Sequence, residues 1–116
     1  MGLTHTMSDG VMVCHPEGDL DDAAVRNLSE LVASDSVSRG PGMVLDLAAA
    51  TYVSSQGVAG LLKLQALLAE RKRSLAVANP SPLVRRILYQ AGVAQAIPIH
   101  PDVAAACAGL GKPSAT

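Results

Sequence analysis

Apolar residues along this 116-residue chain fall into two spacings, and the changes between them mark its elements. Residues 11–15, 43–47, 75–78 and 96–99 are short apolar runs, the pattern of strands in a sheet. The run at 43–47 is broken only by Asp46, as expected of a central strand covered on both faces. Residues 5–7 read as a weak strand, and Ser8-Asp9-Gly10 is a turn signal that joins them to 11–15 as a hairpin. Between these runs the period lengthens. Leu20, Ala24, Val25, Leu28, Leu31 and Val32 recur at helical spacing and predict a helix from an Asp19 N-cap to about residue 33. Val58, Leu61, Leu62, Leu64, Leu67 and Leu68 make a wide apolar side on a second helix over about 57–72. Ser81 followed by Pro82 reads as an N-cap and first helical residue, with Gly92 as the stop. Pro101 opens a short Ala-rich helix to about residue 108. Residues 34–42, rich in Ser, Gly and Pro, form a loop.

The predicted order is β-β-α-β-α-β-α-β-α. Strands that alternate with helices imply crossover connections and a mostly parallel sheet. The expectation is one α/β domain with a small, mostly parallel five-stranded sheet, an antiparallel edge hairpin and about four helices. Residues 1–4 are a lead-in, 5–108 the domain and 109–116 a flexible tail.

Composition narrows the functional classes. There is no Phe, no Trp and only two Tyr, so the core is aliphatic and base-stacking nucleic-acid modules are disfavoured. The net charge of −1 hides an asymmetry: residues 1–46 carry eight acids against two bases, and 47–116 carry seven bases against two acids. That is either a bipolar surface that orients a protein partner or two ordinary solvated faces. Cys14 and Cys107 lack CxxC spacing and read as small buried hydrophobes in a reducing compartment. No signal peptide is visible and no apolar run reaches about 18 residues. A cytoplasmic protein without membrane insertion is expected.

The segment 43–60, MVLDLAAATYVSSQGVAG, carries the candidate chemistry. It reads as a buried strand, a short loop that delivers Ser54 and Ser55, and a helix start at Gly57. Backbone N–H groups and the dipole at a helix N-terminus favour negative charge, so a serine there is suited to carrying a phosphate. It is equally suited to plain capping. Gly57, Ala59 and Gly60 permit close approach of another backbone or tight packing on the sheet. Catalytic signals are weak: Val53-Ser54-Ser55-Gln56-Gly57 lacks the first glycine of a G-x-S-x-G elbow. His5, His15 and His100 have neither triad nor metal-ligand spacing. No cofactor motif is present.

The order of elements and three local patterns resemble the STAS domain family, and within it the bacterial anti-sigma-factor antagonists. Gly18-Asp19-Leu20-Asp21 looks like the family's G-x-L-D segment, and 43–60 like its strand-loop-helix with a D-S-S-G core. Residues 79–99, with Arg85, Arg86 and Gly92, look like its strand, Pro-initiated helix and final strand. Aligned on Gly57, the tetrad falls on Ser54-Ser55-Gln56-Gly57. Ser55 matches the serine that the family's partner kinases phosphorylate, while Ser54 stands where the family has Asp and Gln56 where it has Ser or Thr. The resemblance implies a non-enzymatic regulator of transcription. It would bind an anti-sigma factor of the serine kinase type, release a sigma factor, and be switched off by phosphate on Ser55 until a phosphatase resets it. Its partner surface would comprise Asp19, Asp21, Ser54, Ser55, Gln56, Gly57 and Gly60, on a monomer. The alternative is a STAS subunit that regulates the ATPase of an ABC-type lipid transport system.

Overall fold

A computed structural model describes residues 3–8, 11–33 and 42–111. The expected turn at Asp9-Gly10, most of the expected loop 34–42, and residues 112–116 lie outside them. The described elements are β1 (Leu3–Ser8), β2 (Val11–Pro16), β3 (Gly18–Leu20), α1 (Asp22–Ala33), β4 (Gly42–Asp46), β5 (Ala50–Val53), α2 (Ser55–Glu70), β6 (Ser74–Ala78), α3 (Pro82–Gln90), a 3-10 turn (Val93–Gln95), β7 (Ile99–His100) and α4 (Val103–Gly111).

The main sheet has the order β1-β2-β4-β6-β7. β1 pairs antiparallel with β2, and the remaining neighbours are parallel. This is the single α/β domain with a mostly parallel five-stranded sheet, an antiparallel edge pair and four helices that the sequence predicts.

Alternation along the strands sorts side chains by size. Met12, Cys14, Met43, Leu45, Leu75 and Val77 face one way and meet Leu28 of α1, Leu61, Leu64 and Leu68 of α2, and Val84 and Leu88 of α3. Val11, Val13, Val44, Ala76 and Ala78 face the other way, where Ala106 of α4 completes a thinner layer with Val103, Cys107 and Leu110 at its margin. Three helices therefore cover the bulky face and one small-residue helix covers the slim one. Each fully buried Leu contributes about 1.5–3 kcal/mol, so the thick layer holds most of the stability. Cys14 is sealed in it, and burial pushes its thiol from 9.0 up to about 12.

Four local expectations are corrected. First, Gly18–Leu20 and Ala50–Val53 form an additional two-stranded parallel sheet, β3-β5. Second, Asp19 lies on β3 and does not cap α1. Asp21 does, its carboxylate accepting from the Ala24 N–H at 3.0 Å; Leu20 accordingly belongs to β3. Third, α2 starts at Ser55 and ends at Glu70, followed by Lys72 in a left-handed conformation (φ 59°). The N–H of Arg73 closes that end on the Leu68 carbonyl at 2.8 Å. Fourth, a 3-10 turn at Val93–Gln95 and the residues just after it bury Val93 and Ile97, and the last strand is Ile99–His100. The start of α3 agrees: Ser81 Oγ accepts from the Val84 N–H at 3.3 Å with Pro82 at the first position. The last helix starts at Val103, after Asp102 caps the Ala105 N–H at 2.8 Å, and reaches Gly111.

Candidate functional site

The β3-β5 ladder builds the site. It pairs Asp19 with Tyr52 and Leu20 with Val53, so segments distant in the chain lie side by side. The Thr51 hydroxyl donates to Asp19 Oδ1 at 3.1 Å, across 32 residues of sequence. At the end of the ladder the Ser54 N–H donates to the Leu20 carbonyl at 3.0 Å, and the Ser54 hydroxyl donates to the same oxygen at 3.3 Å. Ser54 Oγ also accepts from the Gly57 N–H at 3.0 Å, which makes it the N-cap of α2. Its hydroxyl is thus occupied in both directions.

Ser55 is the next residue and the first of the helix, and its side chain is exposed. First-turn amides have no intrahelical acceptor, and the dipole of this 16-residue helix adds partial positive charge there. Gln56 is exposed beside it. Gly57 is buried, and a Cβ on it would stand 2.1 Å from the Leu20 carbonyl oxygen. The α2 N-terminus sits against the β3 backbone at a distance only glycine permits. One turn on, a Cβ on Gly60 would stand 2.4 Å from Val25 Cγ1 of α1. Both glycines thus serve close packing within the chain, of α2 on β3 and of α2 on α1.

Outside that contact a groove of about 350 Å³ runs between α1 and α2, with Asp22, Arg26 and Ser29 on one wall and Gln56, Ala59 and Lys63 on the other. Arg26 pairs with Asp22 at 2.6 Å across one helical turn, both exposed. Such a pair contributes little to stability. The structure thus brings Asp19, Asp21, Ser54, Ser55, Gln56 and Gly60 to one end of the α1-α2 layer, with Gly57 beneath them. It adds Arg26 and Lys63, which the sequence reading did not single out. Their place on the exposed sides of α1 and α2 carried no signal in the sequence, since it is the packing of Gly60 on Val25 that sets the two helices side by side.

His15 is engaged away from the serines. His15 Nδ1 lies 3.0 Å from Asp46 Oδ2, and its Nε2 lies 3.3 Å from Thr6 Oγ1. With the proton on Nδ1, His15 donates to the carboxylate and accepts from the threonine hydroxyl. Asp46 Oδ1 accepts from the Ala48 N–H at 3.1 Å, so the acid inside an apolar run is a strand-end cap as well as a histidine partner. Neither hydrogen bond of the Ser54 hydroxyl involves a histidine. Among the described residues no group of His, Cys, Asp and Glu is placed to hold a metal ion, and no helix is long and apolar enough to cross a membrane.

Comparison with solved structures places this architecture among known folds. An anti-sigma factor antagonist from Mycobacterium paratuberculosis superposes with a TM-score of 0.79 at 22% identity, over 95% of this chain and 93% of that one. The anti-sigma factor antagonist SpoIIAA in its unphosphorylated form gives 0.74 at 18% identity, over 97% and 100%. The STAS domain of a SulP transporter from Vibrio cholerae gives 0.67 at 15% identity, over 90% and 84%. Identities this low speak to the fold. Comparison with curated proteins finds no match. The family model of the STAS domain matches residues 4–106, from β1 into α4, and the chain belongs to the STAS domain family.

Proposed function

We propose that this domain is an anti-sigma-factor antagonist. Its α2 N-terminus binds an anti-sigma factor of the serine kinase type, a sigma factor is released, and phosphate on Ser55 switches the contact off. The observation that carries this reading is the division of labour between adjacent serines. Ser54 holds the fold, while Ser55 is exposed at the first helical position. A phosphate there adds about −1.5 to −2 charge at pH 7 where the helix tolerates it, so the fold is kept. In a close-packed interface the same charge meets desolvation and repulsion, so affinity is lost. The protein acts in the cytoplasm as a monomer, without catalysis of its own, and a phosphatase resets it. The likeness to two anti-sigma factor antagonists supports the reading at the level of fold.

The departures from D-S-S-G at Ser54 and Gln56 favour one second reading, a STAS subunit that regulates the ATPase of an ABC-type lipid transport system. One experiment separates the two: affinity capture with Ser55→Ala and Ser55→Asp baits, read by mass spectrometry. A kinase-type anti-sigma factor retained by Ser55→Ala and lost with Ser55→Asp is the expected result. Equal capture of an ATP-binding transport subunit by both baits transfers the assignment to the second reading.

A further inference from the structure

A second recognition surface lies on α3. Its outer side carries Arg85, Arg86, Leu83 and Tyr89, with Leu83 51% and Tyr89 56% exposed. Two clefts adjoin along this helix. One, about 420 Å³, is walled by Pro80, Pro82, Arg85, Arg86 and Tyr89. The other, about 250 Å³, is walled by Arg85, Tyr89, His100 and the prolines at 80 and 101. Arg85 and Tyr89, one helical turn apart, line both, so the two form one continuous trough.

Three features distinguish this trough from an ordinary solvated helix. It contains cationic and titratable donors and no acid. Among the described residues neither Arg85 nor Arg86 enters an ion pair. Arg85 is the fourth and Arg86 the central residue of a nine-residue helix, short of the last turn where the dipole favours cations, so helix stability does not account for them. The walls are also set in advance. Asn79 is in a left-handed conformation (φ 59°), its N–H donates to the His100 carbonyl at 3.0 Å, and prolines follow it. The His100 ring lies against Gly109 of α4, where a Cβ would meet it at 3.2 Å. Arginine and tyrosine beside rigid apolar walls are the residue types that dominate binding energy at protein interfaces.

We infer that the Arg85–Arg86–Tyr89–His100 trough docks an extended acidic segment of a partner protein. Carboxylates fork onto the two guanidiniums, and an apolar side chain lies against Tyr89 and the prolines. A small free anion uses only the charges and leaves Tyr89 and the proline walls uncovered. A peptide uses both. This surface is separate from the α1-α2 groove and does not depend on the Ser55 switch.

The test is a 15N–1H NMR titration of the intact protein with three probes: a peptide of about 12 residues built from Glu-Glu-Leu repeats, its Lys-Lys-Leu counterpart, and inorganic phosphate. The acidic peptide is expected to shift amides of α3 and of the Ile99–His100 strand saturably, and the basic peptide is not. Affinity is expected to fall about tenfold or more with Arg85→Glu/Arg86→Glu, about threefold or more with Tyr89→Ala, and not at all with Ser55→Asp. Raising salt from about 50 to about 300 mM weakens binding through screening. The inference is overturned by shifts from both peptides alike, by shifts away from α3, by binding unchanged in the double arginine variant, or by phosphate alone saturating the same amides with equal affinity. Loss of binding with Ser55→Asp also overturns it, since the site is then part of the switch surface.

Discussion

Two helices of this domain begin in the same way and serve different ends. At α2 the Ser54 hydroxyl accepts from the N–H of Gly57; at α3 the Ser81 hydroxyl accepts from the N–H of Val84. Each cap follows a strand and satisfies a first-turn amide. The residues beyond the cap differ. In α3 they are Pro82, which is pre-set for the helix, and Val84, which is fully buried in the core. In α2 they are Ser55, exposed and carrying a hydroxyl, and Gly57, pressed on the β3 backbone. At one terminus the capping serine is the last hydroxyl before the helix. At the other a second hydroxyl follows it and stands exposed on a surface assembled from two strands. A capping serine is therefore evidence for structure, and the serine after it is where function is sought.

The largest effects that sharpen this contrast come from the third helical position. Gly57→Ala forces α2 off the Leu20 carbonyl, and an expected loss of about 3 kcal/mol, the upper end of overpacking costs, is checked by urea denaturation. At the matching site of α3 the sign of the volume change reverses. Val84→Ala removes buried carbon, and the same assay is expected to show a loss of about 2 kcal/mol. If Gly57→Ala proved neutral, the close approach of α2 to β3 would be wrong.

The caps come next. Ser54→Ala removes the amide cap and a bond to Leu20, and is expected to cost about 1–2 kcal/mol in thermal or chemical denaturation. Ser81→Ala removes a cap alone and is expected to cost about 1 kcal/mol. Equal losses would mean that the Ser54–Leu20 bond adds nothing. The smallest effects fall on Ser55. Ser55→Ala is expected to stay within about 0.5 kcal/mol of wild type. Ser55→Asp is expected to gain about 0.3–1 kcal/mol from the helix dipole while partner capture is lost. Stability and binding that move in opposite directions are the signature of a switch; a joint loss would mark Ser55 as structural.

A separate titration tests the thick layer beneath both helices. The Cys14 thiol is raised from 9.0 to about 12 by burial, so above pH 9 the unfolded chain binds fewer protons than the native one. Its contribution is present below pH 9 and is lost as pH rises towards 12. Urea midpoints measured across this window are expected to fall in wild type and to fall less in Cys14→Ala.

The parts of the fold read from sequence were those with long or strongly punctuated patterns. Ser81-Pro82 states a helix start outright, and the leucine spacing of α2 gives its buried side: Leu61, Leu64 and Leu68 are buried while Leu62 and Leu67 stay partly exposed. The β3-β5 pair was hidden because three- and four-residue strands supply no period, and Thr51 and Tyr52 face solvent. Asp19 and Asp21 are both competent caps two residues apart, and only the ladder decides between them by taking Asp19 into a strand. Asp46 was visible as an anomaly in an apolar run. Its partner His15, 31 residues away, was not, since that contact exists only once β2 lies beside β4. At the site, Ser54 and Ser55 were found by their place before a helix. The assignment of one to the fold and the other to the surface needed the Leu20 carbonyl.

An all-aliphatic core has an optical consequence. With no Trp in the chain, Tyr52 and Tyr89 supply all of its intrinsic emission, and both are about half exposed in the native state (48% and 56%). Denaturation changes their solvation only modestly, so phenol fluorescence follows unfolding poorly. It follows occupancy well, because Tyr52 pairs with Asp19 at the edge of the serine surface and Tyr89 lines the arginine trough. The domain thus carries one natural fluorophore on each candidate surface. Tyr52→Phe or Tyr89→Phe leaves a single lamp, and which lamp dims on adding a partner tells which surface has been covered.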